Sequence, residues 1–311
     1  MPRKNEQSAN AEHHLQAVGR RRFLAAAAGL AAAGFGHHAA RAQTPPPSAD
    51  RVAGQLPVDA VGLEHIGTVV PDVTVAARFF GRVFNPFVYK EMAPPLRYYV
   101  TLDPGYIALG SRDGEPKAFI DHDCVLAEAY DRAAMSRRLE LEGLPAGRFG
   151  IIQDEDGLGL QLLAGGGLAG STEPAGQIVT GSALVRPRGL HRVLRYVSDL
   201  EESLVFYRKF FGQELGEEQA AEQGMDARWF LVGHTYFGIR QVLEGETPRI
   251  DRFCVNVAAG NYDAAALGAA LTALGADVRS TVGDSLLHFT SPEGIGVELR
   301  PVDPARMWGR G

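Results

Sequence analysis

Cysteine is scarce in this chain, with only two among 311 residues, at positions 124 and 254. Two thiols allow at most one disulfide, which excludes a fold held together by several bridges. Both cysteines also occupy the same place in two repeats that are described below. We therefore interpret Cys124 and Cys254 as two separate buried apolar side chains.

Long hydrophobic runs are also lacking. The apolar run at residues 23–35 is shorter than the roughly 20 residues that cross a bilayer, and no later segment is apolar enough. The run at 23–35 follows a twin-arginine pattern at 19–24 and precedes small residues at 40–42. This order predicts a twin-arginine signal peptide over residues 1–42, and hence a periplasmic protein without a membrane span. The alternative is a disordered basic tail before a short helix.

Basic residues are in the minority. The chain has 31 Lys and Arg against 37 Asp and Glu, a net charge of −6. Removal of residues 1–42 takes away six basic and two acidic residues, which leaves −10. Because such a surface repels phosphate backbones, we expect no nucleic-acid partner. A small molecule is the expected partner.

The length suits two domains, and two breaks in the pattern place them. Residues 43–60 contain three consecutive prolines and little apolar pattern, which predicts a linker. Residues 165–188 are rich in glycine and predict a second linker. The predicted domains are therefore 61–164, called the first half, and 189–303, called the second half. Residues 304–311 would form a tail.

The two halves repeat one pattern, in which an apolar strand leads into a capped helix and further strands follow. Residues 120–125 align without gaps with 250–255, and residues 157–162 align with 294–299. This similarity indicates an internal duplication. Within each half the strand–helix–strand pattern occurs twice, which predicts four related modules.

The stretches 63–72, 154–162, 196–207 and 291–299 resemble the vicinal-oxygen-chelate superfamily. Its members include glyoxalase I, bleomycin-resistance proteins and extradiol ring-cleaving dioxygenases. The resemblance implies an α+β fold of four βαβββ modules, paired into two domains that each enclose a cup. No partner chain is needed to complete a cup, so we expect a monomer or a homodimer.

The resemblance also implies metal ligands in the first half. In metal-dependent members, ligands come from the first strand of each paired module and from the last strand of the second. These positions correspond to His65, His122 and Gln161. Two imidazoles are a natural start for a divalent metal site of unknown metal, although both could be hydrogen-bonded pocket histidines.

The third ligand position departs from the iron dioxygenase pattern of two histidines and a carboxylate, because glutamine is neutral. Glyoxalase-like members can use glutamine at this position. A metal held by two histidines and Gln161 would keep its positive charge. We therefore expect such a site to favour an anionic substrate that offers two oxygens.

The second half carries different residues at these positions. Counting seven residues back from Asp199, as His65 precedes Asp72, gives Arg192, and the other two positions are Arg252 and Glu298. Strand alternation would then turn His191 away from the cup. The three residues predict either a buried ion network or a pocket in which arginine binds a carboxylate or phosphate.

Tyr98, Tyr99 and Tyr106 are candidates to line the cup of the first half, because alternation on the middle strands would place some of them inside, and Tyr98 and Tyr106 are the predicted catalytic residues. The alternative is that they only pack there. The function predicted is an exported, metal-dependent lyase, isomerase or dioxygenase of the glyoxalase type. The alternatives are a metal-free binding protein of the bleomycin-resistance type and an interaction module without a site.

Overall fold

The computed structural model describes most of the two predicted halves. The predicted signal peptide at 1–42 and the tail at 304–311 lie outside the described residues. The described residues are 56, 58–93, 95–128, 130–144, 150–168, 170–223, 226–280 and 286–303.

The described residues form fifteen strands, which all belong to one sheet. In the first half they are β1 (Asp59–Val69), β2 (Tyr89–Glu91), β3 (Arg97–Thr101), β4 (Tyr106–Gly110), β5 (Phe119–Glu128), β6 (Ile151–Gln153) and β7 (Gly159–Leu163). The short β8 (Glu173–Pro174) follows. In the second half they are β9 (Pro187–Val197), β10 (Arg228–Val232), β11 (Thr235–Gln241), β12 (Arg249–Ala258), β13 (Asp277–Ser280), β14 (Leu287–Thr290) and β15 (Gly296–Val302).

Each module has one main helix, and each of these helices begins at an aspartate. The helices are α1 (Val73–Val83), α2 (Arg132–Leu141), α3 (Leu200–Phe211) and α5 (Ala264–Ala273), with the short α4 (Glu217–Ala221) after α3. The carboxylates of Asp72, Asp131, Asp199 and Asp263 accept hydrogen bonds from backbone N–H groups of the first turn. Such caps satisfy donors that the helix itself leaves unpaired, which fixes where each helix starts.

Strand pairing confirms the α+β fold and repeats the same topology in the two halves. In the first half, β1 pairs with β4 in parallel and with β5 antiparallel, and β5 pairs with β7 in parallel. In the second half, β9 pairs likewise with β11 and β12, and β12 pairs with β15. The halves join where Ile120 of β5 pairs with Ile250 of β12.

Part of the predicted second linker packs on the first half. Its strand β8 pairs with β2, which places Pro174 opposite Tyr89. Val179 is buried beside the glycine at position 81, and the backbone N–H of Leu184 donates to Arg82 O. Apolar residues therefore hold this glycine-rich segment against α1, and the domain limits drawn from sequence stay a prediction.

Both cysteines are free and buried, as predicted. Cys124 on β5 pairs with His65 on β1, and Cys254 on β12 pairs with Arg192 on β9. Among the residues described, no helix has the length and apolar character that crossing a bilayer requires.

Candidate functional site

Strand register places the three predicted metal ligands on one face of the sheet. His65 on β1 lies opposite Cys124 on β5, and Cys124 lies opposite Gln161 on β7. His122 precedes Cys124 by two residues on the same strand, and residues two apart share a face. The fold therefore brings His65, His122 and Gln161 to the same surface, where His65 and Gln161 are buried.

The two histidine rings converge. The Nε2 atoms of His65 and His122 lie 3.2 Å apart, and the rings meet edge to face. Two nitrogen ligands at this separation, each about 2.1 Å from one ion, would subtend an angle of about 100° at the ion. That angle lies between the octahedral and tetrahedral values, so one divalent ion fits both nitrogens.

A carboxylate holds the opposite nitrogen of each ring. Glu64 Oε2 accepts from His65 Nδ1 by a short contact, and Asp121 Oδ2 accepts from His122 Nδ1 at 2.9 Å. When Nδ1 carries the proton, the Nε2 lone pair is free to bind a metal. The two lone pairs face each other at 3.2 Å, an arrangement that a cation between them would stabilise.

The two carboxylates also change the charge expected at this site. Glu64 and Asp121 contribute two negative charges directly behind the two rings. Arg112 Nη2 in turn lies 2.6 Å from Asp121 Oδ1, so the charge of this carboxylate is shared between an arginine and the His122 ring. The anionic character of the substrate therefore stays a prediction.

Glu64 reaches His65 through a β-bulge. Leu63 pairs with Val125 and His65 pairs with Cys124, which leaves Glu64 as an extra residue in β1. A bulge interrupts strict alternation, so neighbouring side chains can lie on the same side. The other oxygen of Glu64, Oε1, accepts a hydrogen bond from the backbone N–H at position 167 at 2.7 Å. Strict alternation would place Glu64 on the opposite face from His65. In the sequence, only the adjacency of Glu64 and His65 indicates their contact.

An equivalent bulge in β9 corrects the prediction that His191 points away from the cup. Leu190 pairs with Val255 and Arg192 pairs with Cys254, so His191 is the extra residue of β9. The His191 ring lies 5.2 Å from the ring of Tyr236, which pairs with Arg192 across β11 and β9. His191 therefore lies on the same face as Arg192, whereas strict alternation would place it on the opposite face. Burial, together with the charges of Arg300 and Arg192, lowers the pKa of His191 to about 3.

Cys124 is a further neighbour of the histidines. Potential ligand atoms of Glu64, His65 and Cys124 lie within 4.8 Å of one another. However, Glu64 is already bound to His65 Nδ1 and to a backbone N–H, and burial raises the pKa of the Cys124 thiol. We therefore place the candidate ion at the two Nε2 atoms, with Gln161 still the predicted third ligand.

The structure brings one of the two predicted tyrosines to the site. Tyr106 stacks on the His65 ring, with 4.6 Å between ring centres, and Tyr99 meets Tyr106 at 5.7 Å. Tyr98 instead lies in the hydrophobic core on the opposite face of β3, so the structure does not bring it to the histidine pair. Tyr99 replaces it, because strand alternation selects one of two adjacent tyrosines and the sequence does not show which.

Both site tyrosines remain protonated at neutral pH. Burial, and then the Glu91 carboxylate, raises the pKa of Tyr99 to about 12. Burial, and then the charge of Glu64, raises the pKa of Tyr106 above its usual range. Their hydroxyl groups are therefore hydrogen-bond donors rather than proton sources of ordinary acidity.

In the second half, the predicted register is confirmed and the site is occupied by an ion pair. Arg192 and Glu298 both flank Cys254, as His65 and Gln161 flank Cys124. Arg192 Nε and Nη2 donate to Glu298 Oε2 at 3.0 and 2.8 Å, and both side chains are buried. The interpretation as a buried ion network therefore holds for Arg192 and Glu298, and the partly buried Arg252 joins it through Nη1, which lies 3.7 Å from Glu298 Oε1.

Comparison with known proteins shows the fold of this chain. No family model matches it, and no curated protein matches its sequence. A mutant of 4-hydroxymandelate synthase from Streptomyces coelicolor matches with a TM-score of 0.55 and 13% identity, over 81% of this chain and 94% of that one. The Mn(II)-bound glyoxalase from Novosphingobium aromaticivorans matches with a TM-score of 0.51 and 14% identity, over 82% and 92%.

The 2,3-dioxygenase LapB from a Pseudomonas strain matches with a TM-score of 0.51 and 15% identity, over 82% of this chain and 97% of that one. Extradiol dioxygenases and glyoxalases are members of the vicinal-oxygen-chelate superfamily. The chain therefore has the vicinal-oxygen-chelate fold. Because one fold of this kind serves many chemistries, the function must be argued from the site.

Proposed function

We propose that this chain is an exported, metal-dependent enzyme of the glyoxalase and dioxygenase type, which acts in the periplasm. Its reaction would be that of a lyase, an isomerase or a dioxygenase on a small molecule with two neighbouring oxygens. The observation that carries this proposal is the 3.2 Å separation of His65 Nε2 and His122 Nε2, with a carboxylate behind each ring. The metal-bound glyoxalase among the structural neighbours supports the same chemistry.

The side chains around the histidines have separate roles in this proposal. His65 and His122 would hold a divalent ion, and Glu64 and Asp121 orient their rings through Nδ1. A bound ion would supply Lewis acidity towards the substrate oxygens. Tyr106 covers one side of the His65 ring and keeps that side from water.

The test is the metal content of the folded, exported protein, measured by elemental mass spectrometry. We expect about one divalent ion per chain in the wild type and none in His65→Ala or His122→Ala. His191→Ala is the matched control, because His191 occupies the equivalent strand of the second half, and it should keep the ion. Loss of metal from the control as well, or a wild type that takes up no divalent ion, would overturn the proposal.

Export has its own test. Lysine in place of Arg20, Arg21 and Arg22 keeps the charge but removes the twin-arginine pattern. We expect the wild type in the periplasmic fraction with residues 1–42 removed, and the lysine variant in the cytoplasm at full length. Equal distribution of the two proteins would contradict export by this route without affecting the metal proposal.

A further inference from the structure

The second half contains a cavity that is separate from the histidine pair. It has a volume of about 450 Å³ and lies between β11, β12, β14 and the start of β15, with the start of β5 at one side. A cavity of this size holds a small organic molecule. Its walls include Arg252, the residue that stands where His122 stands in the first half.

Arginines outnumber carboxylates in the lining of this cavity. Four arginines line it, against two carboxylates, Glu246 and Asp251. The two oxygens of Asp251 are each used by a different arginine: Arg249 Nε lies 2.8 Å from Oδ1, and Arg252 Nε lies 2.6 Å from Oδ2. Arg279 pairs with Asp277 at 3.5 Å, so Arg240 is the lining arginine that is left without a carboxylate partner among the described residues.

Arg240 is the most available of these cations. No carboxylate of the described residues lies within ion-pair distance of it. Its guanidinium lies 5.7 Å from the ring centre of Tyr196, and the guanidinium of Arg249 lies 4.4 Å from the same ring. Arg252 Nη2 also donates to the Tyr196 hydroxyl at 3.2 Å. Tyr196 therefore contacts three guanidinium groups, of which Arg249 and Arg252 also pair with carboxylates.

The remaining walls are apolar and can hold the body of a ligand. They are formed by Phe119, Ile120, Ile250 and Phe289. An arginine cluster binds a carboxylate through charge-assisted hydrogen bonds, and apolar walls favour an organic group attached to it. Glu298 lies outside this lining, but its Oε1 is 3.7 Å from Arg252 Nη1, so Arg252 has a second carboxylate neighbour whereas Arg240 has none among the described residues.

We propose that this cavity is a binding site for a small organic carboxylate, independent of any metal in the first half. Arg240, Arg249 and Arg252 bind the carboxylate, and the phenylalanine and isoleucine side chains contact the apolar body. The proposal does not depend on the proposed enzyme function, because no residue of the cavity belongs to the histidine pair.

Isothermal titration calorimetry of the mature protein tests this site, with benzoate as the probe and benzamide as its neutral counterpart. We expect benzoate to bind, benzamide to bind at least tenfold more weakly, and added salt to weaken benzoate. Arg240→Gln should weaken benzoate about tenfold, because it removes one charge-assisted hydrogen bond. Arg228→Gln is the matched control, since Arg228 is exposed on β10 outside the cavity, and it should bind like the wild type.

His65→Ala separates this proposal from the enzyme proposal and should bind benzoate normally. Four results would overturn the site: no benzoate binding, equal binding of benzamide, unchanged binding by Arg240→Gln, or loss of binding in His65→Ala. Inorganic phosphate that binds as tightly as benzoate would overturn the assignment to an organic anion. Because Arg240 forms no ion pair with the described residues, its substitution should leave the fold intact.

Discussion

Arg195 of the second half and Asp123 of the first half form an ion pair that is completely buried. Arg195 Nε lies 3.0 Å from Asp123 Oδ1, and Nη1 donates to the Tyr207 hydroxyl at 2.6 Å. A further donor of the guanidinium reaches the backbone oxygen at position 159. One arginine thus connects β9, β5, β7 and α3, directly behind the strand that carries His122.

Loss of this carboxylate should destabilise the protein strongly. In Asp123→Ala the buried Arg195 charge keeps only Asp154, at 3.8 Å, as a charged neighbour. Removal of one partner from a buried pair costs about 3–5 kcal/mol of unfolding free energy. Asp277→Ala is the control, because it breaks an exposed pair with Arg279 that contributes at most about 1 kcal/mol. Urea unfolding measures both, and equal losses would contradict a structural role for the buried pair.

The carboxylates behind the histidines should tune metal affinity. Glu64→Gln and Asp121→Asn keep the size of each side chain but weaken its hydrogen bond to Nδ1. Partners of this kind contribute about 10–100-fold to metal affinity, so competition with a chelator should show a loss of that order. Glu173→Gln, at an exposed surface pair, should have no effect. Unchanged affinity in both test variants would show that the ion does not use Nε2.

A methyl group at position 67 should displace His122. The glycine there lies opposite His122 on β5, and any Cβ would overlap its ring. The variant Gly67→Ala should therefore lose stoichiometric metal although no ligand has changed. Gly110→Ala on the neighbouring strand is the control, because its Cβ would meet only a backbone oxygen at 3.6 Å. Metal retained by Gly67→Ala would mean that His122 is not held in the position described.

Stability should fall in mild acid because of His191. Its pKa is about 3 in the folded protein, below the ordinary value of about 6.5, since burial and two arginines oppose its charge. Below pH 6.5 the unfolded chain therefore binds a proton that the folded chain does not. Between pH 7 and pH 5 this costs about 2 kcal/mol of unfolding free energy. This loss of unfolding free energy is small above pH 6.5, and it grows as the pH falls towards 3.

Urea unfolding of the wild type and of His191→Gln at pH 7 and pH 5 measures this difference. The variant should lose about 2 kcal/mol less than the wild type over this interval. His234→Gln, at an exposed position, should behave like the wild type. Equal pH dependence of the wild type and His191→Gln would contradict a depressed pKa.

Several features of the site follow from sequence alone. The resemblance of the duplicated stretches to the vicinal-oxygen-chelate superfamily predicted the fold, and counting from the capping aspartates placed Arg192 at the position of His65. This worked because a helix cap fixes where a helix begins, and the strand before it has a constant length in the two halves. Residues on the same strand at even spacing then share a face, as His122 and Cys124 do.

Other features need the paired strands. A β-bulge is defined by how two strands pair, so the positions of Glu64 and His191 are not contained in either strand by itself. The choice between Tyr98 and Tyr99 also depends on which face of β3 packs against the core. Both tyrosines have the same local pattern and are equally buried, and only the face of β3 on which each side chain lies distinguishes them.

The sequence by itself determined the repeated modules, the starts of the helices and the residue types available at each ligand position, because these depend on local patterns along one chain. Only the tertiary structure decided that two imidazole nitrogens lie 3.2 Å apart, that carboxylates stand behind them and that three arginines meet around Tyr196. These relationships join atoms far apart in the chain. Their distances are set by strand register and packing, which no single segment specifies.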